Sequence, residues 1–215
     1  ILHDKTRSER RQPILRYHRF MRSAYGDYTI HPLGPERWAD FENLFGPSGA
    51  YSGCWCMWWR LTGKEFSANG NSGNKAAVKA ITEQGPAPGL LAYRDGAPVG
   101  WLSLGPRPDF GRIERSPLFK AGDATPVWSI VCFFIHRENR RQGVASALLA
   151  AAIDYAGEQG APALEAYPID VAKANESQKA DANLFTGTAD FFAHAGFEVV
   201  QRTKPARPMM RLKLG

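Results

Sequence analysis

The sequence predicts a mixed α/β (α+β) domain, one mixed sheet carrying helices on both faces. Three observations predict it. An apolar, β-branched and aromatic run at 127–135 turns through Gly143 into an alanine-rich helical run at 146–155. Short strand-like runs recur on both sides of that unit, two of them joined around Asp95-Gly96, a favoured tight-turn dipeptide. Helical stretches are interspersed among them, in the order β-α-α-β-β-β-α-β-α-β-β, which calls for a layered sheet rather than a bundle or a sandwich. The strand-helix-strand unit 127–167 is read as parallel by the right-handed crossover rule.

Each element has a local cause. Residues 28–33 form a first strand. Residues 35–45 form a helix, with Pro35 in its first turn and Gly46-Pro47 ending it. Residues 46–56 read as loop, and 67–73, rich in Gly, Asn and Ser, as a linker. A second helix is expected over 74–84, with Ala77, Val78 and Ile81 on one stripe and Gly85-Pro86 as its stop. Strands follow at 90–93 and 99–104, then a long polar loop over 105–125. In the helix after Gly143, Val144, Leu148, Ala151 and Tyr155 recur at steps of four, three and four, marking the face packed on the sheet. A short strand at 163–167, a polar excursion at 169–183, a short helix at 188–195 and strands at 198–203 and 208–212 complete the series. No internal repeat is visible.

At 215 residues, with 44% hydrophobic and 12% aromatic content, the chain can bury a sizeable core as one domain. No run approaches the roughly 18 apolar residues of a membrane span, and the charged first 22 residues show no signal pattern. Three cysteines, Cys54 and Cys56 among them, do not form a disulfide framework, and a reducing cytoplasm is the expected compartment. The net charge of +6 sits at the ends: residues 1–22 and 201–215 each carry +5, so the middle is net acidic. A basic N-terminal arm (1–25) is therefore expected ahead of one domain (26–215). A solvated extension is favoured over nucleic-acid binding for this arm.

The chemistry concentrates in Arg140-Arg141-Gln142-Gly143-Val144-Ala145. A strand that turns through a glycine into a helix start leaves backbone N–H groups aimed one way. With the helix dipole and adjacent arginines they suit a pyrophosphate. Cys54-x-Cys56, with Cys132 remote and no nearby histidine, does not spell a metal site, and none is expected.

The chain at this point resembles the GNAT acyltransferase superfamily, whose cofactor motif Gln/Arg-x-x-Gly-x-Gly/Ala reads here Arg140-x-x-Gly143-x-Ala145. A second mark, an aromatic residue, three residues and Gly-Phe, matches Phe192 to Gly196-Phe197, and the element order matches over about residues 28–213. The resemblance implies a GNAT-like mixed, mostly antiparallel central sheet with helices on both faces. It also implies an N-acyltransferase using acetyl-CoA or another acyl-CoA as co-substrate, by direct attack in a ternary complex. Carried over by position, the N–H groups of Gln142, Gly143, Val144, Ala145 and Ser146 hold the pyrophosphate, helped by Arg140 and Arg141. The backbone of Phe133 and Ile135 lies beside the pantetheine arm, with the Phe133 N–H polarising the thioester carbonyl.

The catalytic groups depart from the family's commonest ones. An acceptor amine with a pKa near 10.4 is neutral in about one part in 2,500 at pH 7, a cost of roughly 4.6 kcal/mol that desolvation, a base or a water relay must offset. The strand glutamate common in the family is Ser129 here, a catalytic candidate that is no strong base alone but can hold a water, or else a plain small strand residue. The usual tyrosine acid is Phe192, which cannot donate a proton but is carried over as a cofactor contact, and the asparagine often seven residues earlier is Phe185. Tyr167 is a candidate substitute phenol, with Glu165 and Asp170 beside it as candidate base or anchors; strand alternation puts Glu165 and Tyr167 on one face. Trp55, Trp58 and Trp59 fit two roles, lining the acceptor pocket or plain core. The expected partner is a small-molecule or peptide amine, not nucleic acid or membrane, and a homodimer is compatible with the sequence. The alternative to an enzyme is a GNAT-fold module that binds acyl-CoA without turnover.

Overall fold

The computed structural model of the protein describes residues 25–120, 122–179 and 181–215, with the side chains of residues 181–183 left aside. The basic arm expected over 1–25 thus falls, Tyr25 apart, outside the described residues. Tyr25 itself is buried in the core, and its hydroxyl donates to Asp154 Oδ2 at 2.5 Å.

Seven strands form one sheet: β1 Thr29–Pro32, β2 Gly89–Arg94, β3 Ala97–Pro106, β4 Trp128–Ile135, β5 Ala163–Ala166, β6 Glu198–Lys204 and β7 Arg207–Lys213. Their order is β1-β2-β3-β4-β5-β7-β6. Only β4 and β5 pair in parallel; the remaining neighbours are antiparallel. The parallel pair is the crossover unit anticipated around Gly143.

Among the described residues three longer helices cover the two faces: α1 Trp38–Phe45, α2 Gly63–Gln84 and α4 Val144–Glu158. Short helices at Gly111–Glu114 (α3), Glu176–Lys179 (α5) and Ala189–His194 (α6) sit in the connections. On one face Val144, Leu148, Ala151 and Tyr155 of α4 bury against Leu90, Ala92, Leu102 and Ile130. On the other, Phe41 and Phe45 of α1 and Val78 of α2 bury against Leu91, Tyr93 and Trp101. Alternation along β2 and β3 feeds both layers, which is why these strands are mostly apolar on both faces.

Two sequence expectations are corrected. Residues 67–73 are not a linker but part of α2. Thr62 caps that helix reciprocally with Glu65: the Glu65 N–H donates to Thr62 Oγ1 at 3.2 Å and the Thr62 N–H to Glu65 Oε2 at 2.8 Å. A kink at Gly70 (φ 57°) absorbs the weak helix formers. The asparagines are held from outside: Asn71 Nδ2 donates to Pro47 O at 2.8 Å and Asn74 Nδ2 to Gly53 O at 3.0 Å. Residues 105–125 are likewise not simply a polar loop. β3 runs on to Pro106, and Phe110, Ile113 and Phe119 are buried in a third apolar cluster with Val131, Tyr167 and Met209. Among the described residues no helix is long and apolar enough to cross a membrane.

Candidate active site

The site begins with an irregularity in β4. The register to β3 slips between Ser103↔Cys132 and Leu104↔Ile130, so Val131 is an extra residue. Side-chain alternation breaks there. Val131 and Cys132 lie on the same side of the sheet as Phe134, while Phe133 and Ile135 pack toward α4. β5 stays in register with β4 only from Trp128↔Leu164 to Ile130↔Ala166. Past Ile130 the two strands part, and the edge of β4 from Cys132 to Ile135 lines a cleft of about 1580 Å³. The opposite wall holds Ile169, Phe185, Thr188 and Phe191.

At one end of the cleft β4 runs through a short turn at Arg137–Asn139 into α4. Arg141 (φ 59°) and Gly143 (φ 87°) both take the left-handed region; Gly143 does so without strain. Gly143 supplies no side-chain cap, and the Ala147 N–H bonds back to Gly143 O at 3.0 Å. The N–H groups of Val144, Ala145 and Ser146 therefore have no partner within the helix. Arg137, Arg140, Arg141 and Ala145 line the cleft at this end. Gln142 turns away and fixes the turn: its carbonyl accepts from Tyr28 Oη at 2.7 Å, its Nε2 donates to Glu138 O at 2.7 Å, and its Oε1 accepts from Arg94. Uncapped N–H groups, a dipole end and three arginines suit a polyanion such as a pyrophosphate.

At the other end lie the aromatics. Trp58 and Trp59 line the cleft; Trp58 is 40% exposed and carries the Arg112 guanidinium 3.8 Å above its ring. Trp55 does not line it. Trp55 is buried, stacks on Phe45 at 5.7 Å and donates its indole N–H to Asn71, so of its two sequence roles it takes the core one. All three cysteines line the cleft. Hydrogen bonding from Cys132, against burial, pulls the Cys56 thiol below the usual range, and Trp101 Nε1 donates to its sulfur at 3.2 Å. Cys132 in turn is pushed well up by that bond and by burial. Among the described residues no group of three or more His, Cys, Asp or Glu could hold a metal ion.

Ser129, Glu165 and Tyr167 are brought together, but behind the cleft rather than in it; all three are fully buried. Ser129 Oγ lies 2.8 Å from Tyr167 Oη, which donates to Glu165 Oε2 at 2.9 Å. Arg107 Nη1 donates to Glu165 Oε2 at 2.6 Å, and Arg211 donates twice to Oε1, from Nη2 at 2.8 Å and Nε at 3.1 Å. The outer sides of the arginines meet Glu114 and Asp123. Burial, then the Glu165 charge, pushes the Tyr167 phenol far up. Such a phenol holds its proton, and a carboxylate closed between two guanidinium groups has no free edge to take one. This geometry makes the trio a clamp tying β3, β4, β5 and β7 together below the splay. Asp170 is likewise engaged, by Arg202 at 2.9 Å and Lys173 at 3.5 Å.

Phe192 is buried against Phe133 and Phe197 and does not reach the cleft; its neighbour Phe191 lines it, edge-on to Phe133 at 5.7 Å. The sequence reading missed Arg107 and Arg211, which no local pattern marks, and the Cys56–Cys132 pairing, which depends on the β4 bulge.

A family model described as "Acetyltransferase (GNAT) family" matches residues 55–180. Among solved structures the chain is similar to a histone acetyltransferase HPA2 and related acetyltransferase from Corynebacterium glutamicum ATCC 13032, at 18% identity over 88% of this chain and 97% of that one (TM-score 0.51). It is similar to an agmatine N-acetyltransferase, at 9% identity over 87% and 100% (TM-score 0.52). It is also similar to an N-acetyltransferase from Staphylococcus aureus Mu50, at 14% identity over 88% and 100% (TM-score 0.50). At these identities the likeness shows a shared fold. No curated protein matches the sequence. The family match, in contrast, spans more than half of the chain, from the tryptophan cluster through β4, the arginine turn and β5. On that match the chain belongs to the GNAT acetyltransferase family, whose chemistry is acyl transfer from acyl-CoA.

Proposed function

We propose that this protein is an N-acyltransferase that moves an acetyl or other acyl group from acyl-CoA to the amine of a small-molecule or peptide acceptor. The observation that carries the reading is the uncapped N-terminus of α4, set behind Gly143 at the mouth of the β4–β5 splay. The N–H groups from Gln142 to Ser146, with Arg140 and Arg141, bind the pyrophosphate. The free edge of Phe133 and Ile135 takes the pantetheine arm as an added strand, with the Phe133 N–H toward the thioester carbonyl. Trp58 and Trp59 line the acceptor end.

Ser129, Glu165 and Tyr167 enter as positioning residues that set the angle of the splay. Acceleration then rests on orientation of amine and thioester and on exclusion of water by the aromatic walls. A rival reading, a module that binds acyl-CoA without turnover, is favoured by one observation: neither Phe192 nor any phenol of the Ser129 clamp reaches the cleft.

Calorimetry with CoA tests the binding half. Wild type binds, and Gly143→Glu, which places a carboxylate and a strained φ at the phosphate turn, loses binding; equal affinity in the two would overturn the assignment. Thiol release from acetyl-CoA across an amine panel separates the enzyme from the module. Release accelerated by at least one amine supports transfer, and amine-independent background supports the module.

A further inference from the structure

The acceptor end of the cleft holds hydrogen-bond donors that the protein leaves without acceptors. Trp59 is buried, lines the cleft, and its indole Nε1–H makes no hydrogen bond. Its ring lies 6.4 Å from Phe119 and 6.3 Å from Phe185. Arg207, the first residue of β7, also lines the cleft and sets its guanidinium 5.6 Å from the same Phe119 ring. Both donors thus line the cleft and both neighbour the buried Phe119 ring. Lys204, the last residue of β6, lines the cleft as well.

Arg207 differs from Arg60, Arg107, Arg202 and Arg211. Arg107 and Arg211 each meet two carboxylates, Arg60 meets Asp109, and Arg202 meets Asp170. Arg207 has no carboxylate and no hydrogen-bond acceptor among the described residues, and burial, with no acid to offset it, pulls its pKa below the usual value. Natural interiors pair such charges and satisfy such N–H groups, because an unpaired one is costly. A buried indole N–H without an acceptor and a half-buried guanidinium without a carboxylate, both lining one substrate cleft, are what an anionic ligand group would complete.

Resting on the acyltransferase reading above, we propose that the acceptor carries an anionic group, carboxylate or phosphate, alongside its amine. That group docks between Trp59 Nε1 and the Arg207 guanidinium, with Lys204 adding charge at the rim. Leu118 and Phe185, which line the cleft there, cover the apolar body between anion and amine. The acceptor class is thus amino-acid-like rather than a plain alkylamine or polyamine.

Paired acceptors test this. With acetyl-CoA, phenylalanine is compared with phenethylamine, and phosphoethanolamine with ethanolamine, following CoA release. One anionic member exceeds its neutral-bodied partner by about tenfold or more in kcat/KM, as one charge-assisted hydrogen bond allows, and the pair that shows it names the source of the anion. Arg207→Gln collapses that ratio toward one by raising KM, Trp59→Phe reduces it while keeping the ring, and both keep the CoA Kd within twofold. A ratio near one in wild type, or a ratio indifferent to Arg207→Gln, overturns the proposal, as does loss of CoA affinity in Arg207→Gln. If no amine is turned over, binding of 3-phenylpropionate, followed by tryptophan fluorescence, decides instead. Binding that Arg207→Gln abolishes supports the anion site, and no binding at millimolar concentration overturns it. Failure of wild type to bind CoA sinks the acyltransferase reading separately.

Discussion

Glu165→Gln distinguishes a base from a clamp. The wild-type carboxylate accepts four hydrogen bonds, two on each oxygen, from Arg107, Tyr167 and the two Arg211 nitrogens. A glutamine of the same size has one acceptor oxygen and presents an NH2 to the other pair of donors. Two charge-assisted bonds are lost, at about 1.5 kcal/mol each or more, and a donor faces a donor. Glu114 and Asp123 still hold the outer sides of the arginines, which limits the damage. The loss is therefore about 3 kcal/mol, at the lower end of that for breaking a buried pair. In a domain of this size that lowers Tm by about 6–12 °C and moves a urea midpoint by about 1.5 M for a slope near 2 kcal/mol/M. Urea unfolding followed by tryptophan fluorescence measures it. At 15 °C, where the variant is still folded, CoA affinity and amine-dependent thiol release per folded molecule stay within about threefold of wild type. A variant with an unchanged urea midpoint but a rate down a hundredfold would refute the clamp and restore Glu165 as a participant in the chemistry.

Other outcomes follow from single contacts. Tyr28→Phe removes the bond to the Gln142 carbonyl; it should cost about 1 kcal/mol and weaken CoA binding several-fold, read by calorimetry, because the arginine turn loses its anchor. Gly100→Ala sets a Cβ 2.6 Å from Val144 Cγ1 and 3.0 Å from Ile135 Cδ1. The crowding should destabilise by about 1–3 kcal/mol and shift the start of α4, so Tm and CoA affinity fall together. The thiols should titrate apart. Burial, then the Cys56 charge, pushes the Cys54 thiol up to about 11, whereas Cys56 lies below its usual range. A thiol whose pKa is raised becomes thiolate only as pH climbs toward that value. Iodoacetamide labelling of the more accessible Cys54, followed by peptide mapping, should therefore stay slow at pH 8 and rise only above about pH 10; fast labelling at pH 8 would contradict the raised thiol.

What the sequence determined is what local physics determines. Gly143 was legible because a strand-to-helix turn with positive φ selects glycine, and the helix after it was legible from the spacing of Val144, Leu148, Ala151 and Tyr155. The crossover unit followed from chain order alone. Where contacts come from far along the chain, the same reading failed or stopped short. Residues 67–73 look like a linker by propensity, yet Asn71 and Asn74 are held by the backbone of the preceding loop at Pro47 and Gly53, and that outside bonding overrides propensity. Trp55, Trp58 and Trp59 are alike in sequence. Only their tertiary neighbours decide that the first is core and the other two face the cleft. Glu165 looked available as a base because strand alternation put it beside Tyr167. Its closure depends on Arg107, 58 residues away, and Arg211, its cross-strand partner 46 residues away. Which donors stay unmatched, as at Trp59 and Arg207, is likewise a property of the assembled walls. The sequence by itself thus determined the strand and helix series, the crossover and the glycine turn at Gly143, because these rest on local backbone geometry and chain order. The tertiary structure decided which side chains face the cleft and which tie the strands together behind it, because hydrogen-bond satisfaction is settled between residues that only folding brings together.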